Sequence, residues 1–382
     1  MKKILITYPW LSLFGGGEIF CEYCCNLLSK KYKVDLMYYD NGIKINSFLK
    51  INKKVSLIGI KSQNIVIDFL ASKTMLFAQF FLIYFNLRNK KIREYDFVYS
   101  SAGEFFSRIK TYQYIHSCYF TLKISDFRNI GYDFKSFHKI IARYFLSLII
   151  RIILRINKSK FYNVITLTNS KWSLKKISKT YYIKNKKVIY PTFNIIPYKT
   201  NSLKLFNKRK KDFVILGRVS QDKKIHEAID FFNKIEDYFD KSKLHIIGPI
   251  DYSYKKRLIK KYQLKSKKII FHGLISNKLR NKILYNSMFG LSFFEGEHFG
   301  RSVLEMQKLG MIVFVKNSGG VKEIIYNNHL KYSNITDLIY KVKKVHSSDN
   351  IKKNIIMRNK IELSNKLNSN IFDKEMFKVF KK

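Results

Sequence analysis

One stretch in the C-terminal half, residues 289–320, constrains the fold of this chain most. An apolar run, Phe289–Phe294, predicts a buried strand, and the polar turn after it leads at Gly300 into a helical pattern. A second apolar run, Met311–Val315, predicts another strand, which leads into the loop Asn317-Ser318-Gly319-Gly320. Strand, helix and strand in this order form a βαβ unit. Such units bind ligands at the carboxyl ends of their parallel strands.

Two carboxylates lie at that predicted edge. Glu297 is in the turn before the helix, and Glu305 follows about one turn inside it. The helix start near Gly300 supplies backbone N–H groups and the positive end of the helix dipole, which suit a phosphate. The same spacing also occurs where a helix has an acidic first turn and a solvated surface Glu, so the spacing alone leaves both interpretations open.

The flanking residues carry a family resemblance. The segment from Glu297-His298-Phe299-Gly300 to Glu305, followed by Gly319-Gly320 and Glu323-Ile324, resembles the Glu-x7-Glu signature and the Gly-Gly-x-x-Glu-Ile segment of glycosyltransferase family 4. The EHFG form is similar to the branch of lipid-linked-oligosaccharide α-1,2-mannosyltransferases. The resemblance implies an α/β fold of GT-B architecture, with two Rossmann-like domains whose parallel sheets face a central cleft.

The resemblance also implies an activity, which is the transfer of a hexose of mannose or glucose type from a nucleotide-diphosphate donor, with retention of configuration. Glu297 would hold hydroxyls of the transferred sugar, and Glu305 would accept hydrogen bonds from the ribose. The backbone at the helix start would assist, through Phe299, Gly300, Arg301 and Ser302.

The strand before this unit ends in cations. The apolar run Phe213–Leu216 leads to Arg218, and Lys223 precedes the next helical pattern. These residues match the family's Gly-Arg…Glu-Lys-Gly pattern, except that Lys224 replaces the usual Gly. The resemblance assigns Arg218 and Lys223 to the donor diphosphate, since a guanidinium fork and a point charge together neutralise two phosphates.

Two further strand ends are implied to border the donor or the sugar. His272 and Gly273 end a predicted strand that borders the nucleotide base in the family. His116 ends the predicted strand Thr111–Ile115, where an ordinary structural histidine is the alternative. Many family members have a histidine here beside the transferred sugar, so we assign His116 to catalysis together with Glu297.

Three adjacent glycines follow the first predicted strand. Residues 15–17 permit close approach of a ligand to the backbone, but a tight turn without a ligand explains them equally well. The G-x-G-x-x-G spacing is absent, which disfavours dinucleotide binding. In the family, a Gly-Gly-x-Glu at this place faces donor and acceptor, and Gly16, Gly17 and Glu18 match it.

The length of 382 residues suits two domains. We predict an acceptor-side domain over residues 1–195, a linker over 196–211, and a nucleotide-sugar domain over 212–366. The linker is inferred from Pro197, a basic run and missing periodicity. Residues 367–382 are predicted to form a helix that crosses back to the first domain.

The charge balance indicates a polyanionic neighbour. Lys and Arg number 73 against 27 Asp and Glu, giving a net charge of +46. No nucleic-acid-binding module is recognisable and the cations are spread along the chain, so we predict no nucleic-acid partner. The predicted partners are the nucleotide-sugar donor, a glycan or lipid-linked acceptor, and an anionic membrane surface. Two alternatives remain: a basic nucleic-acid- or membrane-binding protein without transferase activity, and a sugar-nucleotide 2-epimerase of the same fold.

Two apolar segments bear on the membrane. Residues 65–87 and 140–156 are rich in Leu, Ile and Phe but contain charged residues, which disfavours a transmembrane helix. They are either basic amphipathic helices in the membrane interface or packed helices with snorkelling cations. Lys2 and Lys3 lead directly into a strand, so no signal peptide is expected. We predict a cytoplasmic protein that is peripheral on the membrane.

No metal site or cofactor is predicted. The four cysteines, at positions 21, 24, 25 and 118, are expected to be buried thiols, because no second pair or histidine cluster completes a zinc site. An Asp-x-Asp pair is absent from the sequence. The donor diphosphate is therefore expected to be neutralised by protein cations, and the nucleotide sugar serves as a co-substrate.

Overall fold

The computed structural model describes residues 1–11, 15–42, 49–120, 137–193, 203–263 and 268–381. The chain forms two compact units. The first consists of Met1–Ser125, Phe137–Asn194 and Phe372–Lys382, and the main part of the second is Ile195–Ile371.

The first unit contains a seven-stranded sheet in the order β3-β2-β1-β4-β5-β6-β7, in which all neighbours are parallel. The central strands are apolar on both faces, as expected for a parallel sheet covered by helices. The strands are β1 Lys3–Tyr8, β2 Lys33–Tyr39, β3 Val55–Ile60, β4 Phe97–Ser100, β5 Thr111–Ile115, β6 Ile165–Thr168 and β7 Lys186–Val188. The helices are α1 Gly16–Leu28, α2 Ile65–Lys73, α3 Met75–Arg88, α4 Phe137–Ile153, α5 Lys171–Thr180 and, from the end of the chain, α13 Ser369–Lys381.

Two apolar clusters cover the two faces of this sheet. In one, α1 and α13 pack together through Phe20 and Phe372, whose rings lie 6.0 Å apart. The other cluster contains Leu82 of α3, Ile150 of α4 and Ile177 of α5. The C-terminal helix therefore belongs to the core of the first unit.

The apolar segment 65–87 is not a single interfacial helix. Asn64 caps α2 and Thr74 caps α3, each by accepting hydrogen bonds from backbone amides of the first turn, so the segment breaks into two helices. In α3, residues 76–83 are all buried, and all of them except Gln79 belong to the second cluster. The membrane-interface interpretation is therefore wrong for α3, because its apolar side chains are used in the core.

The second unit contains a six-stranded parallel sheet in the order β10-β9-β8-β11-β12-β13. The strands are β8 Lys210–Leu216, β9 Leu244–Ile247, β10 Ile269–Gly273, β11 Ser287–Ser292, β12 Ile312–Lys316 and β13 Lys331–Tyr332. The helices are α6 Leu203–Asn207, α7 Ile225–Ile235, α8 Tyr252–Tyr262, α9 Asn277–Asn286, α10 Arg301–Lys308, α11 Ile335–Ser347 and α12 Asp349–Asn365. The predicted α/β class with two parallel sheets is confirmed.

Part of the predicted linker is regular structure. The helix α6 and the first residues of β8 occupy positions that were predicted to lack periodicity, whereas Pro197 lies outside the described residues. The prediction took the basic run for a solvated linker, but Arg209 of that run is buried. Its guanidinium donates to the carbonyls of Leu284, Ser287 and Leu309. A cation in the basic run therefore fixes the start of the sheet. Within the described part of the chain, no helix is long and apolar enough to cross a membrane.

Candidate active site

The second sheet reverses its strand order between β8 and β11. From β8 the chain builds outward to β9 and β10 on one side, and β11 then pairs with β8 on the other side. Such a reversal leaves a crevice at the carboxyl ends of the two strands, where ligands bind in open α/β sheets. Arg218 and Lys223 follow β8, and Glu297 follows β11. These three predicted donor residues therefore follow the two strands that flank the topological switch point.

Lys223 and Glu297 form an ion pair. Lys223 Nζ lies 3.0 Å from Glu297 Oε2, and the two side chains are 23% and 20% exposed. The ammonium also lies 4.0 Å from the centre of the Phe294 ring. Burial raises the pKa of the Glu297 carboxyl, but the charge and hydrogen bond of Lys223, together with the contribution of His298, outweigh burial and leave this pKa below its ordinary value. Glu297 is therefore an ionised acceptor at neutral pH.

The loop that carries Glu297 is held by the Ser318-Gly319-Gly320 loop after β12. The Gly320 amide donates to the Glu297 carbonyl at 2.7 Å, and the Gly296 amide donates to Ser318 Oγ at 3.1 Å. Gly319 has a φ of +76°, and a Cβ there would lie 2.5 Å from the Glu297 carbonyl oxygen and 2.7 Å from its nitrogen. Only glycine allows this approach.

The helix α10 begins directly beside this loop. Gly300 precedes it in a left-handed conformation with a φ of +91°, and a Cβ at Gly300 would lie 2.6 Å from Val321 Cγ2. The Leu304 amide donates to the Gly300 carbonyl at 3.0 Å. The amides of the turn before it point toward the N-terminal end, so the positive end of the helix dipole faces the Glu297 loop.

Glu305 lies inside α10 between two arginines. Its carboxylate is 3.1 Å from Arg301 Nε and 3.9 Å from a terminal nitrogen of Arg280, which comes from α9. The carboxylate is 20% exposed. Sequence reasoning missed Arg280, because no motif surrounds it and only the folding of α9 beside α10 brings it to Glu305.

A second charge cluster adjoins the site and was also missed. Lys224 Nζ lies 2.9 Å from Glu295 and 3.0 Å from Glu227, and Lys316 lies 3.4 Å from Glu295. The hydrogen bond from Lys224 holds the pKa of Glu295 below its ordinary value. Lys224 is itself left-handed, with a φ of 51°. Glycine adopts this backbone conformation without strain, and here the two ion pairs fix the side chain of the lysine that replaces it.

Arg218 is not part of these pairs. Its side chain is 67% exposed and lies 3.5 Å from Asp222, one turn further along the chain. Arg218 is therefore a solvent-facing fork near the switch point, separate from the Lys223–Glu297 pair.

The ring of His272 is turned toward the neighbouring strand. Its Nε2 lies 2.9 Å from His245 Nδ1, and His245 Nε2 lies 3.3 Å from Asp212. Burial and the adjacent His245 ring lower the pKa of His272, so it is neutral at pH 7. The Gly273 carbonyl accepts from the Gly248 amide at 3.0 Å. At this strand end the His272 imidazole is therefore the last member of a chain of polar contacts that runs from Asp212 through His245.

In the first unit, the glycine candidates form a helix turn and not an open loop. Gly16, Gly17 and Glu18 are the first residues of α1. A Cβ at Gly17 would lie 2.4 Å from the Tyr8 hydroxyl, so packing against Tyr8 already requires glycine there. Glu18 is buried. The pKa of the Tyr8 hydroxyl is raised mainly by the burial of Tyr8 and next by the charge of Glu18.

His116 follows β5, at the same end of the sheet as the start of α1. Its ring meets the ring of Phe20 of α1 edge-on at 4.7 Å and lies 4.8 Å from that of Tyr114. His116 is therefore beside the first turns of α1, the element that carries Glu18. Among the described residues, no group of His, Cys, Asp and Glu side chains could hold a metal ion.

Residues 200–362 match the family model described as "Glycosyl transferases group 1". No curated protein matches the chain. Among solved structures, it is similar to Anabaena Alr3699/HepE in complex with UDP and glucose, with 14% identity over 100% of both chains and a TM-score of 0.67. It is also similar to sucrose-phosphate synthase from Thermosynechococcus elongatus, with 12% identity over 100% of this chain and 98% of that one and a TM-score of 0.69.

A glycosyltransferase from Rickettsia africae ESF-5 gives 17% identity over 100% of this chain and 98% of that one, with a TM-score of 0.65. At such identities these likenesses establish the fold, which is the GT-B architecture of two Rossmann-like domains. The family match adds that the second unit carries a glycosyltransferase group 1 domain.

Proposed function

Since the chain is a glycosyltransferase with the GT-B fold, we propose that it belongs to glycosyltransferase family 4. It transfers a hexose of mannose or glucose type from a nucleotide-diphosphate sugar to a glycan or lipid-linked acceptor, with retention of configuration. The observation that carries the proposal is the Lys223–Glu297 pair at the switch point, next to the N-terminus of α10. The complex of the Anabaena protein with UDP and glucose supports this class of donor.

The diphosphate is expected to separate the Lys223–Glu297 pair. Lys223 follows β8 at the switch point, and a diphosphate carries more negative charge than the single carboxylate that now faces Lys223 at 3.0 Å. When Lys223 turns to the phosphates, Glu297 becomes available to the hydroxyls of the transferred sugar. Donor binding thereby releases the carboxylate that orients the sugar.

The remaining donor contacts follow from the charges around the crevice. The exposed fork of Arg218 reaches the diphosphate from the side of β8, while the amides of Phe299, Gly300, Arg301 and Ser302 face it from the start of α10. Glu305 accepts from the ribose hydroxyls, and its two arginines keep the carboxylate oriented. His272 and Gly273 border the base through their backbone, because the His272 ring is bonded to His245.

Catalysis is mainly electrostatic in this proposal. Arg218, Lys223 and the α10 dipole stabilise the negative charge that develops on the departing nucleoside diphosphate. In the first unit, His116 serves the reacting face of the sugar, and Gly16, Gly17 and Glu18 serve donor and acceptor.

We propose that the reaction requires no metal ion, because protein cations neutralise the leaving group. The sequence contains no Asp-x-Asp pair, and both assigned carboxylates, Glu297 and Glu305, are committed to cations of the chain. The measurement is sugar transfer after exhaustive EDTA treatment, with and without added Mg²⁺ or Mn²⁺. Activity that is lost with EDTA and restored by either ion would contradict the proposal.

A thermal-shift series with UDP, GDP and their sugar conjugates tests the donor assignment. A bound donor stabilises the folded state by mass action, so one of these nucleotides should raise the melting temperature of the wild-type chain. Glu305→Ala should remove this shift. The proposal would fail if no nucleotide sugar stabilised the protein while duplex DNA bound it at high salt.

The same sample distinguishes the epimerase. A 2-epimerase would change the configuration at C2 of the sugar without any acceptor, and NMR of the recovered nucleotide sugar would detect this. We expect no such change.

The acceptor is proposed to be at a membrane. The net charge of +46 favours an anionic surface, and exposed apolar side chains on two helices of the first unit favour a lipid one. The protein would act as a peripheral enzyme on the cytoplasmic face, with a lipid-linked acceptor. The charge is spread over the chain and does not favour nucleic acid.

A further inference from the structure

The outer face of α4 is apolar and exposed. Phe145 is 58% exposed, Ile149 53%, Ile152 76% and Ile153 54%. Their spacing of three and four residues puts them on one side of the helix. Four large side chains on one helical face form a continuous apolar stripe, which soluble proteins seldom leave uncovered.

The inner face of the same helix is already satisfied. Ile150 and Leu154 are buried in the core cluster of the first unit, and Ser147 Oγ donates to the Phe120 carbonyl at 2.9 Å. These contacts fix which face is turned inward. The outer stripe therefore cannot reach the core by rotation of the helix, and its apolar surface is available to a partner.

The charges around the stripe select an anionic partner. Between Phe137 and Lys160 the sequence contains no Asp or Glu. Arg151 lies on the helix, and Arg155 and Lys158, both exposed, follow its end. Because no described helix is long enough to cross a bilayer, a helix of this kind lies in the plane of the interface, with its cations at the headgroups.

A second exposed apolar turn belongs to the same side of the sheet. On α2, Ile65 is 85% exposed, Val66 66% and Phe69 60%. The inner residue of this helix, Ala71, lies in the same core cluster as Ile150 of α4. Both helices therefore cover one face of the sheet and turn apolar side chains outward from it.

We propose that the outer face of α4, assisted by the first turns of α2, is the surface with which the first unit docks on an anionic bilayer. Phe145, Ile149 and Ile152 insert at the boundary between headgroups and acyl chains, while Arg151 and Arg155 bind lipid phosphates. The proposal rests on the membrane location given above, and it identifies which helices make the contact. The buried helix α3 takes no part.

Flotation with vesicles tests the docking surface. The full-length chain is mixed with vesicles of phosphatidylcholine alone or with added phosphatidylglycerol, at low and high salt. We expect the wild type to float with the anionic vesicles. The triple variant Phe145→Ser, Ile149→Ser, Ile152→Ser should lose binding about tenfold or more at both salt concentrations, because apolar insertion is removed. The double variant Arg151→Gln, Arg155→Gln should lose binding mainly at low salt.

A matched control carries the same chemistry on the second unit. Tyr252, Leu274 and Met357 are exposed to 77%, 73% and 52%, so their triple replacement by Ser removes comparable apolar surface elsewhere. This control should float like the wild type. Circular dichroism and the thermal shift caused by the donor nucleotide verify that each variant is folded and that its donor site is intact.

The outcomes separate the claims. If the α4 variant floats like the wild type, the docking surface is wrong while the membrane location stands. If the wild type does not float, the membrane location and the docking surface both fail, and a retained nucleotide shift leaves the donor assignment intact. Sedimentation velocity tests whether a second copy of the chain binds the stripe instead. If the wild type is a dimer and the α4 variant is a monomer, the stripe is a subunit interface and the proposal is overturned.

Discussion

At the scale of single residues, the candidate site of the second unit contains paired charges. Both carboxylates that this unit assigns to the donor have a cation within 3.1 Å, namely Lys223 for Glu297 and Arg301 for Glu305. Partly buried pairs of this kind are costly to break by removing one partner. A substrate that offers both a phosphate and hydroxyl groups can exchange with such a pair, because the phosphate replaces the carboxylate beside the cation and the hydroxyls donate hydrogen bonds to the carboxylate.

Lys223→Met should weaken binding of the nucleoside diphosphate that the thermal-shift series identifies about 10- to 100-fold, because a charge-assisted contact worth about 1.5–3 kcal/mol is removed. The affinity for the matching nucleoside, which has no phosphate, should change little. Isothermal titration with both ligands measures the difference, and Lys260→Met on the exposed face of α8 is the control. Equal losses for the diphosphate and the nucleoside would mean that the substitution collapsed the site.

Glu297→Gln should separate binding from turnover. The substitution is nearly isosteric and frees Lys223 from its partner at 3.0 Å, so affinity for the nucleoside diphosphate should be kept or increased. Turnover should fall by about a hundredfold or more, since the ionised acceptor for the sugar is lost. Binding and initial rates are measured on the same preparation. A parallel loss of nucleoside-diphosphate affinity would contradict the roles given to Glu297 and Lys223.

Gly319→Ala should displace the loop that carries Glu297. An added Cβ would lie 2.5 Å from the Glu297 carbonyl oxygen, and Gly319 is in a left-handed conformation that alanine adopts with strain. We expect turnover to fall and the melting temperature to decrease by a few degrees. Gly42→Ala, where φ is +83° and a Cβ meets nothing within 4 Å, is the control, since it adds similar backbone strain without a clash. A fully active Gly319→Ala enzyme would show that the loop can move.

Much of this site follows from the sequence at the residue scale. The Glu-x7-Glu spacing and the Gly-Gly loop predict which segments meet, because their positions after successive strands place them at one edge. The ion pairs do not follow from the spacing. Lys224 and Glu295 are 71 residues apart and touch only because β8 and β11 are neighbours in the folded sheet.

At the scale of elements, burial decided between helices with similar composition. The segments containing α3 and α4 are both apolar with interspersed charges. In the structure α3 is enclosed on most sides, whereas α4 buries one face and exposes the other. Periodicity indicates that a helix has an apolar face but does not indicate what covers that face.

The helix α11 provides a pH prediction. Burial, and to a smaller extent the neighbouring Lys211 and Lys352, lower the pKa of His346 to about 4, while Asp349 opposes this change. Its ring packs beside Phe239 at 4.9 Å. The unfolded chain takes up this proton near pH 6.5 and the folded chain only near pH 4. The contribution of neutral His346 to the free energy of unfolding should therefore be complete above pH 6.5, and the free energy of unfolding should decrease as the pH falls toward 4.

Urea unfolding of wild type and His346→Phe over pH 4 to 7 measures this contribution. Carboxylates contribute to both proteins, so the difference between the two pH profiles isolates the histidine. We expect the variant to have the flatter profile between pH 6.5 and 4. His329→Phe, in the turn Asn328–Leu330, is the control. Parallel profiles for wild type and His346→Phe would contradict the assigned shift.

At the scale of the whole molecule, the end of the chain completes its beginning. The helix α13 contributes Phe372, Met376 and Phe380 to the core of the first unit, and Tyr23 of α1 donates to Asp373 at 2.8 Å. Phe380 stacks on Phe97 of β4 at a ring distance of 5.3 Å. The first unit therefore cannot complete its core until residues 372–380 have been synthesised.

Phe380→Ala should destabilise the first unit by about 3–5 kcal/mol, the usual cost of deleting a buried phenyl ring. Phe377→Ala, one turn earlier and only partly buried, should cost clearly less. Chemical denaturation monitored by aromatic circular dichroism compares the two variants with the wild type. Similar small effects for both would mean that α13 is not part of this core.

The sequence by itself determined the α/β class and the order of most strands and helices, but not the break between α2 and α3 or the helix α6. Alternating apolar runs and helical patterns specify parallel βαβ units, and the short motifs at strand ends specify where a nucleotide sugar would bind, because both depend on neighbours along the chain. Tertiary structure alone decided the partners. The Lys223–Glu297 pair, the guanidinium of Arg280 beside Glu305, the buried Arg209 and the outward face of α4 each join or separate residues far apart in sequence, and only the packing of strands and helices sets those distances.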